Sequence, residues 1–150
     1  MSDEQTITLV RTIAAPVAKV FTAWIDPALM AQWLAPTFCK VTEVEADPRP
    51  GGTYRFVVVS PFGKRVVTSG EYREVVPNQR LVKTWVFQGE SPAVDRYPTL
   101  LTVTFRELDP SSTEITIRQD QLKTPADRAG NRMGWRLCLH KLAKLLRRST

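Results

Sequence analysis

The sequence is poor in the side chains from which metal centres and hydrolytic triads are built. Its 150 residues include one histidine, His140, and two cysteines, Cys39 and Cys138. Their spacing fits no usual zinc motif, and a Ser-His-Asp triad would need His140, which helical periodicity turns toward solvent. We therefore expect no metal and no triad. Two cysteines are also too few for a disulfide framework, so we expect free thiols packed as small apolar groups.

Other common signatures are missing as well. The chain has neither a GxGxxG run nor a P-loop, and we interpret Pro-Gly-Gly at 50–52 as a hairpin turn, so no cofactor is expected. No apolar run approaches the roughly 20 residues of a membrane-spanning helix, which predicts no transmembrane segment. The first ten residues, MSDEQTITLV, lack the basic start and apolar stretch of a signal peptide, which favours a cytoplasmic protein.

Positive charge is concentrated at the C-terminal end. The formal net charge is +6, yet residues 123–150 alone hold eight Lys/Arg and one Asp. A basic face of this kind suggests nucleic acid or an acidic membrane surface. However, one side of a helix at this position must be solvated, and cations near a helix C-terminus interact favourably with its dipole. We therefore interpret the charge as a solvated face and expect no nucleic-acid partner.

The stretch 21–36, FTAWIDPALMAQWLAP, predicts two short helices joined at an angle. Apolar residues recur at helical spacing up to Trp24. Because the residue before a proline avoids the α conformation, the first helix should end before Pro27, and Asp26 then suits the N-cap of a second helix. Two angled helices can fill a notch in a curved sheet that one straight helix cannot fill.

Most of the remaining chain is predicted to form β-strands. They are expected over residues 6–13, 38–46, 53–59, 65–75, 80–88, 99–108 and 113–120. Turn signals and short connections between them imply an antiparallel meander, with 89–98 as the longest and most mobile connection. From about Pro125 to Arg148, apolar and basic residues separate onto two sides of a long helix. The predicted fold is α+β, one domain over 1–150, in which a curved antiparallel sheet of about seven strands wraps the C-terminal helix.

A series of short motifs resembles one protein family. The motifs are Phe21-Thr-Ala-Trp24 with Asp26-Pro27, Gly51-Gly52-Thr-Tyr54-Arg55-Phe56, Gly70-Glu-Tyr72-Arg-Glu74-Val75, Arg80-Leu81-Val-Lys-Thr84-Trp85 and Gly134-Trp135. In this order they resemble the branch of the START-like, helix-grip superfamily related to the activator of the heat-shock-protein ATPase (AHSA-like). The resemblance implies a deep cavity between sheet and C-terminal helix. Relatives bind lipids, hormones or polyketides, act as cyclases or hydrolases, or serve as co-chaperones, and the fold alone does not choose among these.

Strand parity indicates which side chains should face that cavity. Successive side chains point to opposite faces of a strand, and the bulkier set is expected to face the helix. Trp33 and Phe38 are expected near one mouth. For the tryptophans, a plain core role stays open as well. The predicted ligand-binding residues are Trp33, Phe38, Tyr54, Phe56, Lys83, Trp85, Phe87, Val103, Phe105, Ile117, Gln119, Met133, Trp135 and Leu139.

Two polar residues stand out in this apolar set. Lys83 either receives an anionic group such as a carboxylate, or extends to the cavity rim or pairs with an acidic neighbour. Gln119 either orients a ligand by hydrogen bonding or is half exposed at a strand end. For Lys83 and for Gln119, both alternatives stay open on the sequence alone. In each case the second alternative, which involves no ligand, is favoured.

Three function hypotheses remain. The leading one is a non-catalytic binder of a small hydrophobic or amphipathic molecule. The second is a co-chaperone that contacts a heat-shock ATPase, which the family resemblance implies. The third is an enzyme of unknown reaction that uses Lys83, Glu74 or Tyr72, with Glu74 and Tyr72 on one strand face. No catalytic residue is assigned, and a homodimer stays open because an antiparallel sheet leaves one face uncovered.

Overall fold

The computed structural model describes residues 5–35, 38–89 and 97–148. The predicted connection at 89–98 lies largely outside these ranges. Every predicted helix and strand is found, and each boundary lies within about two residues of its predicted position. The elements are β1 (Ile7–Ile13), α1 (Val17–Ile25), α2 (Pro27–Trp33), β2 (Lys40–Ala46), β3 (Thr53–Val59), β4 (Arg65–Val76), β5 (Arg80–Gly89), β6 (Thr99–Asp109), β7 (Ser112–Asp120) and α3 (Pro125–Arg148).

The strands form one antiparallel sheet in the order β1-β7-β6-β5-β4-β3-β2. Strands β2 to β7 lie side by side in chain order, whereas β1 pairs with β7, so that Ile7 lies opposite Gln119. The β4–β5 pair carries a register shift between Tyr72 and Glu74. A Cβ at Gly70 would clash with the backbone carbonyl of Thr84, so glycine permits the close approach of β4 to β5 there. The predicted helix-grip architecture is confirmed.

The Asp-Pro joint sets the angle between α1 and α2. The Asp26 carboxylate accepts hydrogen bonds from the backbone N–H groups of Ala28 (2.9 Å) and Leu29 (3.4 Å), as expected of an N-cap. The angle brings the ring of Trp33 to 4.7 Å from that of Trp24, edge to face. Its indole Nε1 donates to the carbonyl of Ala23 at 2.9 Å. Both indoles are completely buried, so the two helices close one half of the space between sheet and α3.

Helix α3 packs its apolar side against the sheet. Its buried residues include Trp135, Cys138, Leu139, Leu142 and Leu146. The basic side is solvated, as predicted: Arg136, His140, Lys144 and Arg147 are exposed. In the described part of the chain, no helix combines the length and the apolar character needed to cross a membrane.

Candidate ligand cavity

A cavity of about 550 Å³ lies between the first half of α3 and the inner face of β3, β4 and β5. Alternate residues of the three strands form its floor, because side chains two apart share a face. Its walls are mostly apolar and aromatic. The lining residues are Leu34, Cys39, Phe56, Val58, Val66, Thr68, Trp85, Phe87, Ala126, Asp127, Gly130, Asn131, Gly134, Trp135 and Cys138.

Two glycines keep the helix side of the cavity open. Gly130 and Gly134 both line it, and a Cβ built on either would meet no heavy atom of the surrounding structure within 4 Å. The left-handed backbone that requires glycine occurs at Gly51 and Gly63, and at neither helix position. Glycine inside a helix is less favourable than alanine by about 1 kcal/mol. Neither crowding nor backbone geometry therefore requires glycine at these positions, and a side chain at either one would narrow the open space.

A chain of buried hydrogen bonds holds Trp135 on the helix side. Its Nε1 donates to Oε1 of Gln119 at 2.9 Å, and Nε2 of Gln119 donates to Oγ1 of Thr99 at 2.9 Å. The Thr99 hydroxyl in turn donates to the carbonyl of Trp85 at 2.8 Å. The rings of Trp135 and Trp85 lie 5.0 Å apart, so this chain fixes one wall of the cavity relative to the other.

Other polar atoms in this region lack partners. Within the described ranges, the buried side-chain nitrogen and oxygen atoms without a hydrogen-bond partner are those of Trp24, Thr68, Tyr72, Lys83 and Trp85. Each of these five groups can donate a hydrogen bond. All except Trp24 belong to the adjacent strands β4 and β5, where Tyr72 lies opposite Lys83. Buried polar groups are normally paired, so this concentration on one patch requires an explanation.

Lys83 is fully enclosed by aromatic rings. Its exposed fraction is 0%, and its Nζ lies 4.3 Å from the ring centroid of Tyr54. The rings of Tyr72, Trp85 and Trp24 lie at 5.5, 5.6 and 5.7 Å from the same atom. Burial lowers the pKa of Lys83 to about 7, because an ammonium group loses its hydration there.

The two tyrosines beside Lys83 remain neutral phenols. Burial raises the pKa of Tyr72 to about 12 and that of Tyr54 well above its ordinary value. Tyr54 Oη donates to the carbonyl of Thr84 at 2.5 Å, whereas Tyr72 Oη has no partner among the described residues. Neither tyrosine therefore supplies a negative charge to the ammonium group.

The first turns of α3 form a polar end of the cavity. Asp127 accepts a hydrogen bond from Tyr97 Oη at 2.5 Å, and this hydroxyl accepts one from the Lys123 backbone N–H at 2.8 Å. Asn131 Nδ2 donates to the Asp127 carbonyl at 2.8 Å. Gly130, between them, is exposed. Asp127 is half-buried and Asn131 is buried, so these polar groups belong to the helix wall, opposite the strand floor.

Comparison with known proteins identifies the family. The family model described as activator of Hsp90 ATPase homolog 1-like protein matches residues 14–147. The chain belongs to this family. No curated protein matches the chain at a significant level.

Solved structures agree with the AHSA1-like assignment. A protein from Chromobacterium violaceum is 29% identical, with a TM-score of 0.84, over 95% of this chain and 97% of that one. A protein from Rhizobium leguminosarum is also 29% identical, with a TM-score of 0.80 over 95% and 94%. The AHSA1 protein from Silicibacter pomeroyi is 22% identical, with a TM-score of 0.82 over 97% and 99%, which shows a shared fold.

The AHSA1-like cavity includes only part of the predicted residue set. Four of the predicted side chains line it: Phe56, Trp85, Phe87 and Trp135. Eight others are buried outside its lining: Trp33, Tyr54, Lys83, Val103, Phe105, Ile117, Gln119 and Leu139. The reason is that α1 fills the half of the space near β6 and β7, while α2 packs against β2 and α3. There Trp24 stacks on Trp135 at 5.7 Å, and Phe105 lies 5.3 Å from Phe21.

Two predicted residues point to solvent. Met133 is 56% exposed, because it lies two helical positions from Trp135 and therefore on nearly the opposite side of α3. Phe38 is 81% exposed and precedes β2, whose first residue is Lys40 rather than Phe38. The neighbouring Cys39 lines the cavity instead. The expectation that Met133 faces the cavity was wrong, and Phe38, expected near a mouth, is not among the lining residues.

Two interpretations of polar residues also need correction. Lys83 neither reaches the rim nor pairs with an acidic side chain of the described chain. Gln119 has an exposed fraction of 0%, so it is not half exposed, and its amide is bonded to protein partners. The register shift in β4 separates Tyr72, which is buried, from Glu74, which pairs with Arg80 at 3.3 Å on the surface. These two residues do not share a face.

Sequence reasoning missed most of the helix wall. Parity and periodicity select large apolar side chains, whereas the helix wall consists largely of small and polar residues such as Gly130, Asn131 and Gly134. One signal was available, because two glycines four residues apart inside a predicted helix are unfavourable unless something requires them. No group of three or more His, Cys, Asp or Glu suited to a metal occurs among residues 5–35, 38–89 and 97–148.

Proposed function

We propose that this AHSA1-like protein binds a small hydrophobic or amphipathic molecule in the cavity between β3–β5 and α3, without catalysing a reaction. The proposal treats residues 1–150 as one START-like domain of a cytoplasmic protein. The observation that carries it is the cavity itself: about 550 Å³, mostly apolar, with a few polar groups on its helix and strand walls. Small-molecule sites in proteins commonly have volumes of about 300–1,000 Å³ and this kind of lining.

The two helix glycines support the same function. Alanine at Gly130 or Gly134 would strengthen α3 and find free space, yet the chain has glycine at both positions. A cavity that is kept at the expense of helix stability is consistent with use by a guest. The fixed indole of Trp135 offers that guest a flat, preorganised wall.

Cavity filling tests the proposal directly. Native mass spectrometry of the freshly purified full chain should show a bound species or accept one from added lipophiles. A solvatochromic probe should bind with blue-shifted emission and be displaced by decan-1-ol. In Gly134→Leu the new side chain occupies the cavity, and we expect the affinity for the probe to fall at least about tenfold, since one excluded group of this size removes several ligand contacts.

The matched control is Ala129→Leu. Ala129 lies on the same helix, is exposed and does not line the cavity, so the variant adds the same side chain without filling the space. It should bind the probe as the unchanged protein does. Equal binding by both variants and the parent would show that the probe sits elsewhere and would remove the support for a cavity ligand.

A co-chaperone role is the second candidate, favoured by the family description, which names an Hsp90 ATPase activator. Purified protein should then bind an Hsp90-type ATPase in a pull-down and raise its ATP turnover. The Gly134→Leu variant separates the two functions, because a surface contact with a chaperone should survive cavity filling. Absence of both binding and stimulation would leave the ligand-binding proposal alone. Light scattering of the same preparation would decide between a monomer and a homodimer.

A further inference from the structure

The unpaired donors of β4 and β5 point to the chemical class of the guest. We propose that the cavity takes a lipophilic monocarboxylic acid, whose carboxylate lies against Thr68 and Trp85 with the Lys83 ammonium behind it as the compensating charge. This inference rests on the proposed function, since it requires that the cavity hold a guest at all.

Hydrogen bonding favours a group that only accepts. Thr68 and Trp85 line the cavity, are 1% and 5% exposed, and have an unpaired Oγ1 and Nε1 respectively. Both atoms can donate, and an ionised carboxylate accepts through two oxygens with about four lone-pair directions. One carboxylate therefore has enough acceptor capacity for both donors, and bonds of this charge-assisted kind are roughly twice as strong as neutral ones.

Charge favours an anion over a neutral acceptor. Titratable side chains with rings against Lys83 are Tyr54 from β3 and Tyr72 from β4, while α1 and β5 contribute the rings of Trp24 and Trp85. Asp47 acts electrostatically on Tyr72 but forms no ion pair with Lys83. Aromatic faces attract an ammonium group but carry no net charge. Within the described ranges no carboxylate pairs with Lys83, so an anionic guest would supply the missing counter-charge.

The helix wall and the strand wall of the cavity carry different polar groups, and this difference orients such a guest. Asp127 lies on the helix wall, where its negative charge disfavours a carboxylate nearby. The donors lie on the opposite, strand wall. The carboxylate should therefore lie against β4 and β5, with the apolar tail between Phe56, Phe87 and the two glycines of α3.

Reaching the donors requires a side-chain rotation. Both atoms are covered by neighbouring groups, and Lys83 does not itself line the cavity. The indole of Trp85 has no hydrogen bond at Nε1, whereas that of Trp135 is fixed by Gln119. A turn of Trp85 breaks no hydrogen bond at Nε1, although it shifts ring contacts with Phe56 and Trp135. This turn is the movement that the inference requires, and Lys83 acts through Trp85 as a positioning residue.

The test compares decanoate with decan-1-ol, which share a chain length and differ in the head group. Calorimetric titration of the full chain at about pH 6 should give at least about tenfold tighter binding of decanoate, because one charged hydrogen-bonded contact of moderate strength contributes that much. Binding of the anion should favour the ammonium form of Lys83 and take up a proton above neutral pH. The affinity for decanoate should therefore fall at least about fivefold from pH 7 to pH 8.5, while that for decan-1-ol stays constant.

Two variants test the roles of Lys83 and Thr68 in binding, and a third serves as the control. Lys83→Met should abolish the preference for decanoate, its pH dependence and the proton uptake measured in buffers of different ionisation enthalpy. Thr68→Val should weaken decanoate several-fold and leave decan-1-ol unchanged. Lys144→Met, which removes an exposed charge of α3, should bind both compounds as the parent does.

The outcomes separate this inference from the proposed function. If neither compound binds the parent, the proposed cavity function fails and the inference fails with it. If decan-1-ol binds as tightly as decanoate, or Lys83→Met keeps the preference while still binding decan-1-ol, the cavity function stands and the carboxylate assignment is wrong. Retention of decan-1-ol binding by Lys83→Met also shows that the variant is folded.

Discussion

The indole Nε1 of Trp135 donates a hydrogen bond to Oε1 of Gln119, 2.9 Å away, and thereby joins α3 to β7. The opposite indole, Trp85, has no such bond, although the two rings are 5.0 Å apart. The indole N–H of one tryptophan wall is thus hydrogen-bonded, and that of the other is not. Gln119 orients a protein side chain, where the sequence suggested either a ligand contact or an exposed strand end.

Replacing Gln119 by leucine should destabilise the fold. The change leaves Nε1 of Trp135 buried without an acceptor, and such a group costs about 1–3 kcal/mol of unfolding free energy. Urea unfolding measures the loss, and the tryptophan emission should broaden as Trp135 loses its fixed position. Gln32→Leu is the control, since Gln32 is exposed on α2 and should change the unfolding free energy by less than about 0.5 kcal/mol. Equal stability of the two variants would contradict the role assigned to Gln119.

Alanine at Gly130 and Gly134 should stabilise the protein. Each Cβ enters open space, so the helix gains about 0.5–1 kcal/mol per substitution without a clash. The double variant should unfold at higher urea concentration and bind large guests less well than small ones. Gly70→Ala provides the contrast, because its Cβ would clash with the backbone of Thr84 and should destabilise. A loss of stability at positions 130 and 134 would show that the glycines serve the fold.

Lys83 should make the stability depend on pH with a defined sign. Its pKa is about 7 in the fold and 10.5 in the unfolded chain, so between these values the unfolded state binds more protons and stability rises with pH. Lys83→Met should therefore be more stable than the parent below pH 7, by up to about 5 kcal/mol from the size of the shift. The difference should shrink from pH 7 toward 10.5. Urea unfolding of both proteins across this range checks it, and a difference that does not vary with pH would refute the burial of a titrating ammonium.

The two cavity thiols should differ in reactivity. Cys138 is 7% exposed, and burial raises its pKa to about 12, so it holds almost no thiolate near neutral pH. Cys39 is partly exposed. Iodoacetamide at about pH 8 should therefore modify Cys39 first, and a cavity guest should slow this reaction because Cys39 lines the cavity. Peptide mass spectrometry locates the label, and Cys39→Ala should remove the fast phase. Preferential labelling of Cys138 would contradict the described burial.

Local patterns were sufficient to predict the elements. Strand alternation, the Asp26-Pro27 joint and the two-sided pattern of α3 each depend on the period of one element or on one capping group, and all are found in the structure. The same patterns predicted four cavity residues, including Phe56 and Trp85, because parity assigns faces correctly wherever a strand is regular. Parity assigned Glu74 to the wrong face, because the bulge in β4 introduces a register shift that no local sequence pattern predicts.

The sequence by itself determined the helices and strands and, wherever a strand is regular, which side chains share a face, since strand and helix periods are properties of the local backbone. Only the tertiary structure decided where the inward side chains meet and where they leave a space. That outcome depends on how far α1 and α2 reach under the sheet, on the bulge in β4 and on the absence of side chains at Gly130 and Gly134 in α3. The first two are relations between segments far apart in the chain, and the glycines, although visible in the sequence, leave a space only where α3 meets the sheet. For that reason the filled half, the open half and the isolated side chain of Lys83 emerge only once all elements are in place.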